Sequence, residues 1–167
     1  DGNRKWFENL PIDKNPDYVV YMDDFTGVAL DSTNDWTVVK DSSATAALGA
    51  DAESGTLVLT SQATTDNDGA SVQGNEIFAL STSRDVWFET KIKVGDSEGS
   101  AIDLCVGLTV NFATNPEAML TAADRIVFQV DDGDTNIDCV TEKDGTATTT
   151  DSGVDIADDT FVTLGFH

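Results

Sequence analysis

The sequence predicts an all-β protein, an antiparallel β-sandwich. Three observations carry that expectation. Short apolar or alternating runs recur along the chain, each bounded by Gly, Asp, Asn or Ser. Helical patterning is confined to one stretch around Pro116–Ala123. The dipeptides Asp132-Gly133 and Asp144-Gly145, which tolerate the positive φ of tight hairpins, fall between such runs.

In chain order the expected strands are Tyr18–Phe25, Trp36–Lys40, Thr56–Thr60, Ala70–Gln73 and Val86–Val94. Leu104–Phe112, Arg125–Val130, Ile137–Lys143 and Thr160–Phe166 follow. Val86–Val94 alternates most clearly. Val86, Phe88, Thr90, Ile92 and Val94 face one way, and Trp87, Glu89, Lys91 and Lys93 the other. In Leu104–Val110 the apolar face is Leu104, Val106, Leu108 and Val110, opposed by Cys105, Gly107 and Thr109. The Thr-rich tract Gly145–Asp151 suits an exposed β edge. Asp68-Gly69 and Glu53-Ser54-Gly55 read as looser loops.

Length supports one β domain over residues 18–167, preceded by an arm over residues 1–17. The first sixteen residues balance Arg4, Lys5 and Lys14 against Asp1, Glu8 and Asp13. The whole formal charge of −22 therefore lies on the remainder, and 24 of the 31 acids are Asp. The arm also holds Trp6, Phe7 and Leu10 ahead of Pro11 and Pro16, which argues against a regular element. Its aromatics either fold back on their own sheet or dock on a neighbour.

Charge excludes several classes of partner. A chain with 9 basic residues and no basic cluster lacks the means to neutralise phosphates, so nucleic acid is not expected as a partner. Anionic membranes are excluded on the same ground, and no apolar run reaches the roughly 18–20 residues of a spanning helix. Cys105 and Cys139 both sit in strand-like runs. Two buried free thiols are expected, with a single bridge as the alternative.

Several stretches together resemble a laminin-G/concanavalin-A-like jelly roll. They are Asp23-Asp-Phe25, Trp36-Thr-Val-Val39, Gly55-Thr-Leu-Val-Leu59, Asn67-Asp-Gly-Ala70, Phe78-Ala-Leu80, Val86–Val94 and Val106-Gly-Leu-Thr-Val110. Asp131–Phe166 is similar to segments of tailed-phage virion proteins of this fold. The resemblance covers residues 20–167. It implies a non-enzymatic capsid decoration (cement) or head-fibre protein on the capsid exterior. Its implied partner is the major capsid protein, and it implies a homo-oligomer, with a trimer as the specific expectation. Domains of this kind usually continue after the strand ending at Phe166, which implies either further strands beyond it or a partner that completes the sandwich. A carbohydrate-binding, lectin-like module is the alternative the fold implies.

Family 16 glucanases share the fold and resemble this chain through Phe88-Glu-Thr-Lys-Ile-Lys93. They then need an alternating acidic strand, Glu-x-Asp-x-x-Glu, that sets two carboxylates about 5–5.5 Å apart. Leu104–Phe112 and Arg125–Val130 contain no acid, so no catalytic residue is assigned. Asp132, Asp134, Asn136 and Asp138 alternate as oxygen donors and suggest a calcium loop. Ile137 and Lys143 break the EF-hand template, and a hairpin flanked by solvated Asp is the competing reading. Asp66-Asn67-Asp68 has similar composition. Trp36 and Trp87 are the candidate sugar platforms against a core-packing alternative, and Trp87 is the better placed for exposure. Partner contact through the arm falls to Arg4, Lys5, Trp6, Phe7 and Leu10.

Overall fold

The computed structural model describes residues 20–41, 43–50, 55–61, 68–78, 80–81, 83–95, 102–111 and 115–167. Ten strands and one short 3₁₀ helix span them. The strands are β1 (Thr37–Lys40), β2 (Thr45–Leu48), β3 (Leu57–Thr60), β4 (Ala70–Gln73) and β5 (Phe88–Ile92). After β6 (Leu104–Thr109) comes the 3₁₀ helix (Pro116–Thr121), then β7 (Arg125–Val130), β8 (Asn136–Lys143), β9 (Thr146–Asp155) and β10 (Val162–Phe166). All strand pairs are antiparallel. The protein is all-β, as the periodicity predicts.

One four-stranded sheet, ordered β6-β7-β8-β9, organises the chain, with the pairs β1–β4, β2–β3 and β5–β10 beside it. Its first face packs against the β5–β10 pair. Val94, Phe128, Val130, Ile137, Ile156 and Leu164 form the buried cluster there, flanked by Phe88, Ile92, Leu104, Val106, Cys139 and Phe166. Phe88 and Phe166 stack with centroids 5.1 Å apart, and Phe128 meets Phe166 at 6.1 Å. The second face buries Val127 and Val140, which are directly opposed across β7 and β8. β7 is covered on both faces, which explains its unbroken Ile-Val-Phe run.

Alternation in Val86–Val94 is read correctly from sequence. Val86, Phe88, Thr90, Ile92 and Val94 are buried or half-buried, while Trp87, Glu89, Lys91 and Lys93 are exposed. The 3₁₀ helix lies where helical patterning was confined; Asn115 caps it by accepting from the Glu117 amide at 2.9 Å, with Pro116 in the first turn. The Thr-rich tract is indeed an exposed edge, and it extends to Asp155.

Two expectations need correction. Of the expected strand Tyr18–Phe25, Tyr18 and Val19 lie outside the described residues and Val20–Phe25 forms no strand. The Asp23 carboxylate accepts from the Phe25 amide at 2.7 Å, and Asp24 accepts from the Thr26 hydroxyl at 2.8 Å. These Asx turns, with Phe25 at φ 53°, bend the chain away from a ladder. In the other direction, Thr45–Leu48 is a strand that its sequence, Thr-Ala-Ala-Leu, does not announce. Alanine has weak strand preference, and pairing with β3 decides the outcome.

The β8–β9 hairpin closes on Asp144-Gly145, at φ 52° and 76°, between the paired residues Lys143 and Thr146. Two positive φ values in a two-residue loop define the I′ turn expected of this dipeptide. Asp124 pins the turn from the start of β7: its Oδ1 accepts from the Asp144 amide at 3.1 Å and the Lys143 ammonium at 3.0 Å. Those bonds, the amide first, hold the Asp124 carboxyl below the usual carboxylate range. Its folded pKa being depressed, its contribution to stability is present above the unfolded value and lost as pH falls through the folded one. On acidification below the ordinary carboxylate range, the amide hydrogens of Asp144 and Gly145 should lose exchange protection before the core of β7 does. In Asp124→Asn that pH-dependent step should be absent; an unchanged step assigns it to another carboxylate.

Candidate functional site

Four candidate sites and one further cleft carry side chains that could do chemistry or recognise a partner. The first is the outer face of β5–β10. Because β5 alternates, its outward residues are Trp87, Glu89, Lys91 and Lys93, and those on the β10 line run from Phe161 to His167. Trp87 is 41% exposed and stacks on His167, with centroids 4.8 Å apart and planes inclined by 14°. Phe161 is 50% exposed beneath Lys91, whose ammonium lies 4.6 Å from the ring centroid, and Lys93, at 5.5 Å. Lys93 also pairs with Asp159 at 2.8 Å. The structure therefore places Trp87 at the surface. Trp36 is half-buried instead, donating from Nε1 to Asp23 at 2.8 Å.

Around Trp36 lies a small cleft that sequence reasoning did not find. Asp23, Phe25, Asp31, Asp35, Trp36 and Leu48 line it, and its volume is about 190 Å³. Tyr21 meets Trp36 edge-on at 5.7 Å, and Phe25 lies 5.6 Å from it. Burial, then the charges of Asp23 and Asp35, push the Tyr21 hydroxyl pKa up. Asp31 is already engaged: the Asn34 side-chain amide and the Thr33 and Asn34 backbone amides hold it below the carboxylate range. Its carboxylate is turned on its own loop. The signal in sequence was the Asp-rich stretch 23–35, but bringing Trp36 onto Asp23 needs the fold.

The second expected site, Asp132 to Asp138, is a turn and the start of β8. Gly133, at φ 81°, occupies a turn closed by the Asp134 amide on the Asp131 carbonyl at 3.0 Å. Asp134 caps this turn, accepting from the amides of Thr135 at 2.7 Å and Asn136 at 3.0 Å. Asn136 and Asp138 are brought together, with Nδ2 donating to Oδ1 at 2.8 Å. Asp132 is exposed, and its backbone amide donates to Asp103 at 2.8 Å. Among the described residues no group of three or more His, Cys, Asp or Glu converges as a metal ion requires. Asp66 and Asn67, and the arm residues Arg4, Lys5, Trp6, Phe7 and Leu10, lie outside the described residues.

The third surface is β9, whose ten residues are all exposed and whose outer edge ends the four-stranded sheet. Asn136 and Asp138 pair with Asp155 and Asp151, so β9 carries extra residues there. Gly153, at φ 70°, and its amide bond to Asp151 accommodate the bulge.

The cysteines form the fourth. Both are free thiols. Register places them on opposite faces: Cys139 opposes Phe128 on the core face, whereas Cys105 opposes Gln129 on the other. They also sit two strands apart, about 10 Å, too far for a bridge. Cys105 lies against the Met119 carbonyl, and burial pushes its thiol up to about 12, with Arg125 opposing the shift. At about pH 8, near the ordinary thiol pKa, iodoacetamide should leave Cys105 unmodified in the folded protein and alkylate it in denaturant. Rapid native labelling at Cys105, read by peptide mass, would contradict that burial.

No protein-family model, curated protein or solved structure matches the chain. The class defined by fold and surfaces is an antiparallel all-β protein with an exposed sheet edge and an exposed aromatic-lysine face.

Proposed function

We propose that the chain is a non-enzymatic virion structural protein, a capsid decoration (cement) or head-fibre protein with a concanavalin-A-like jelly-roll body. The observation that carries the reading is β9. It is the longest strand, exposed along its whole length, and its first half, Thr146–Thr150, bears none of the charges, prolines or bulges that usually block an open edge. Such an edge suits a protein that meets neighbours in an ordered shell. The partner is the major capsid protein, on the capsid exterior. Binding the assembled head but not free subunits stabilises the head by mass action.

The test is sedimentation of the full chain with phage heads. Co-sedimentation with assembled heads, a higher disruption temperature of those heads, and no binding to free capsid protein are expected. Thr148→Lys/Thr150→Lys should weaken binding by blocking the edge, and deletion of residues 1–16 should weaken it by removing the arm. A chain that never sediments with heads sinks the proposal. A carbohydrate-binding module of a phage receptor-binding or secreted protein is the second reading, favoured by the exposed Trp87 ring. A glycan array with and without calcium tests it, and binding abolished by Trp87→Ala supports it.

A further inference from the structure

The outer face of the β5–β10 pair is unlike the rest of this acidic molecule. Two of the chain's 9 basic residues, Lys91 and Lys93, stand side by side there, balanced by Glu89 and Asp159. Lys91 forms no ion pair among the described residues and rests on Phe161. Large aromatic surface is exposed at both ends of the face, Trp87 at one and Phe161 at the other. In a chain of formal charge −22, a nearly balanced face with exposed rings is where another acidic surface can approach at least electrostatic cost.

The geometry points to this face as a two-fold contact between two copies of the chain. The order of residues along β5 is self-complementary. A two-fold axis in the plane of contact, perpendicular to the strands and passing the Thr90–Leu164 pair, lays β5 on the partner's β5 in reverse. Glu89 then faces the partner's Lys91, and by symmetry the pair occurs twice. Trp87 faces the partner's Lys93, a cation over an indole ring. On the β10 line His167 faces the partner's Phe161, and Gly165, which has no side chain, faces the partner's Thr163. Sheets packed this way lie about 10 Å apart, close enough for these side chains to interdigitate. The contact lies on the opposite side of β5–β10 from the buried core and does not use β9, so it stands independently of the virion reading.

Sedimentation equilibrium of the full chain tests this, at about 0.5 M salt so that repulsion between the two acidic bodies is screened to a few Å. A monomer–dimer equilibrium is expected. Glu89→Lys and Lys91→Glu should each weaken it by about tenfold or more, because each sets like charges face to face. They change net charge in opposite directions, so a general charge effect would move them oppositely. The double reversal Glu89→Lys/Lys91→Glu should restore association to within about threefold, which also guards against variants that merely misfold. Trp87→Ala should weaken the dimer as well. A chain that stays monomeric, a dimer indifferent to the single reversals, or a double reversal that fails to recover overturns the proposal. Glycan binding at Trp87 by a strictly monomeric chain overturns it equally.

Discussion

Glu142→Ala should lower stability by about 3–5 kcal/mol, the cost of leaving a buried cation without its partner. Arg125 and Glu142 are opposed across β7 and β8, with Nε 3.0 Å from Oε2 and side chains only 8% and 12% exposed. Among the described residues the Arg125 Nε has no hydrogen-bond partner, so the contact with Glu142 is an ion pair rather than an aligned bond. Its Nη1 donates to the Met119 carbonyl at 3.1 Å, which ties the 3₁₀ helix to the sheet. Removing Glu142 strands the guanidinium beside Val127 and Val140, where water cannot replace the carboxylate fully. In a chain of this size the thermal midpoint should fall by roughly 10 °C. Replacing the pair together, as Arg125→Met/Glu142→Leu, should recover most of the loss, since two apolar groups avoid both desolvation costs. A single variant that melts within about 1 kcal/mol of the parent would show that Arg125 finds water at this face.

Gly107→Ala should cost about 3 kcal/mol. Gly107 lies in β6 opposite Val127, at φ 153°, in a region that side chains rarely adopt. An added Cβ overlaps the Ile126 carbonyl oxygen and comes within 2.8 Å of Val127 Cα. Both obstacles are backbone of β7, an interior strand of the sheet, so neither can swing aside as a side-chain tip would. β6 must withdraw from β7, and the ladder from Leu104 to Thr109 loosens with it. Gly95→Ala is the control, because among the described residues nothing lies within 4 Å of a Cβ there and the φ is ordinary. Its melt should stay within about 0.5 kcal/mol of the parent. Equal effects at both glycines would refute the steric account.

Much of the fold was legible in the chain. β4 and β7 match their expected bounds, β8 begins one residue early at Asn136, and β5 and β6 are trimmed at their ends. The Asp144-Gly145 hairpin was readable because two residues of backbone preference suffice to specify it. The Val20–Phe25 error shows the limit of the same logic: an apolar run looks like a strand until the Asp23 carboxylate takes the Phe25 amide and Asp24 takes the Thr26 hydroxyl. Of the candidate surfaces, Trp87 was visible from the phase of one strand. The cleft at Trp36 was not, since it joins residues 13 positions apart through a hydrogen bond that periodicity does not encode.

By itself, then, the sequence determined the all-β class, the faces of the strong strands, the acidic exterior and one hairpin. Each follows from local chemistry: alternation, turn preference and charge count. Only the tertiary structure decided that β10 pairs with β5, that β1 pairs with β4, that Glu142 lies on Arg125, and that Gly107 must be glycine. Those depend on register between strands distant in the chain. Register is set by the best joint burial of many side chains, not by any one segment's preference.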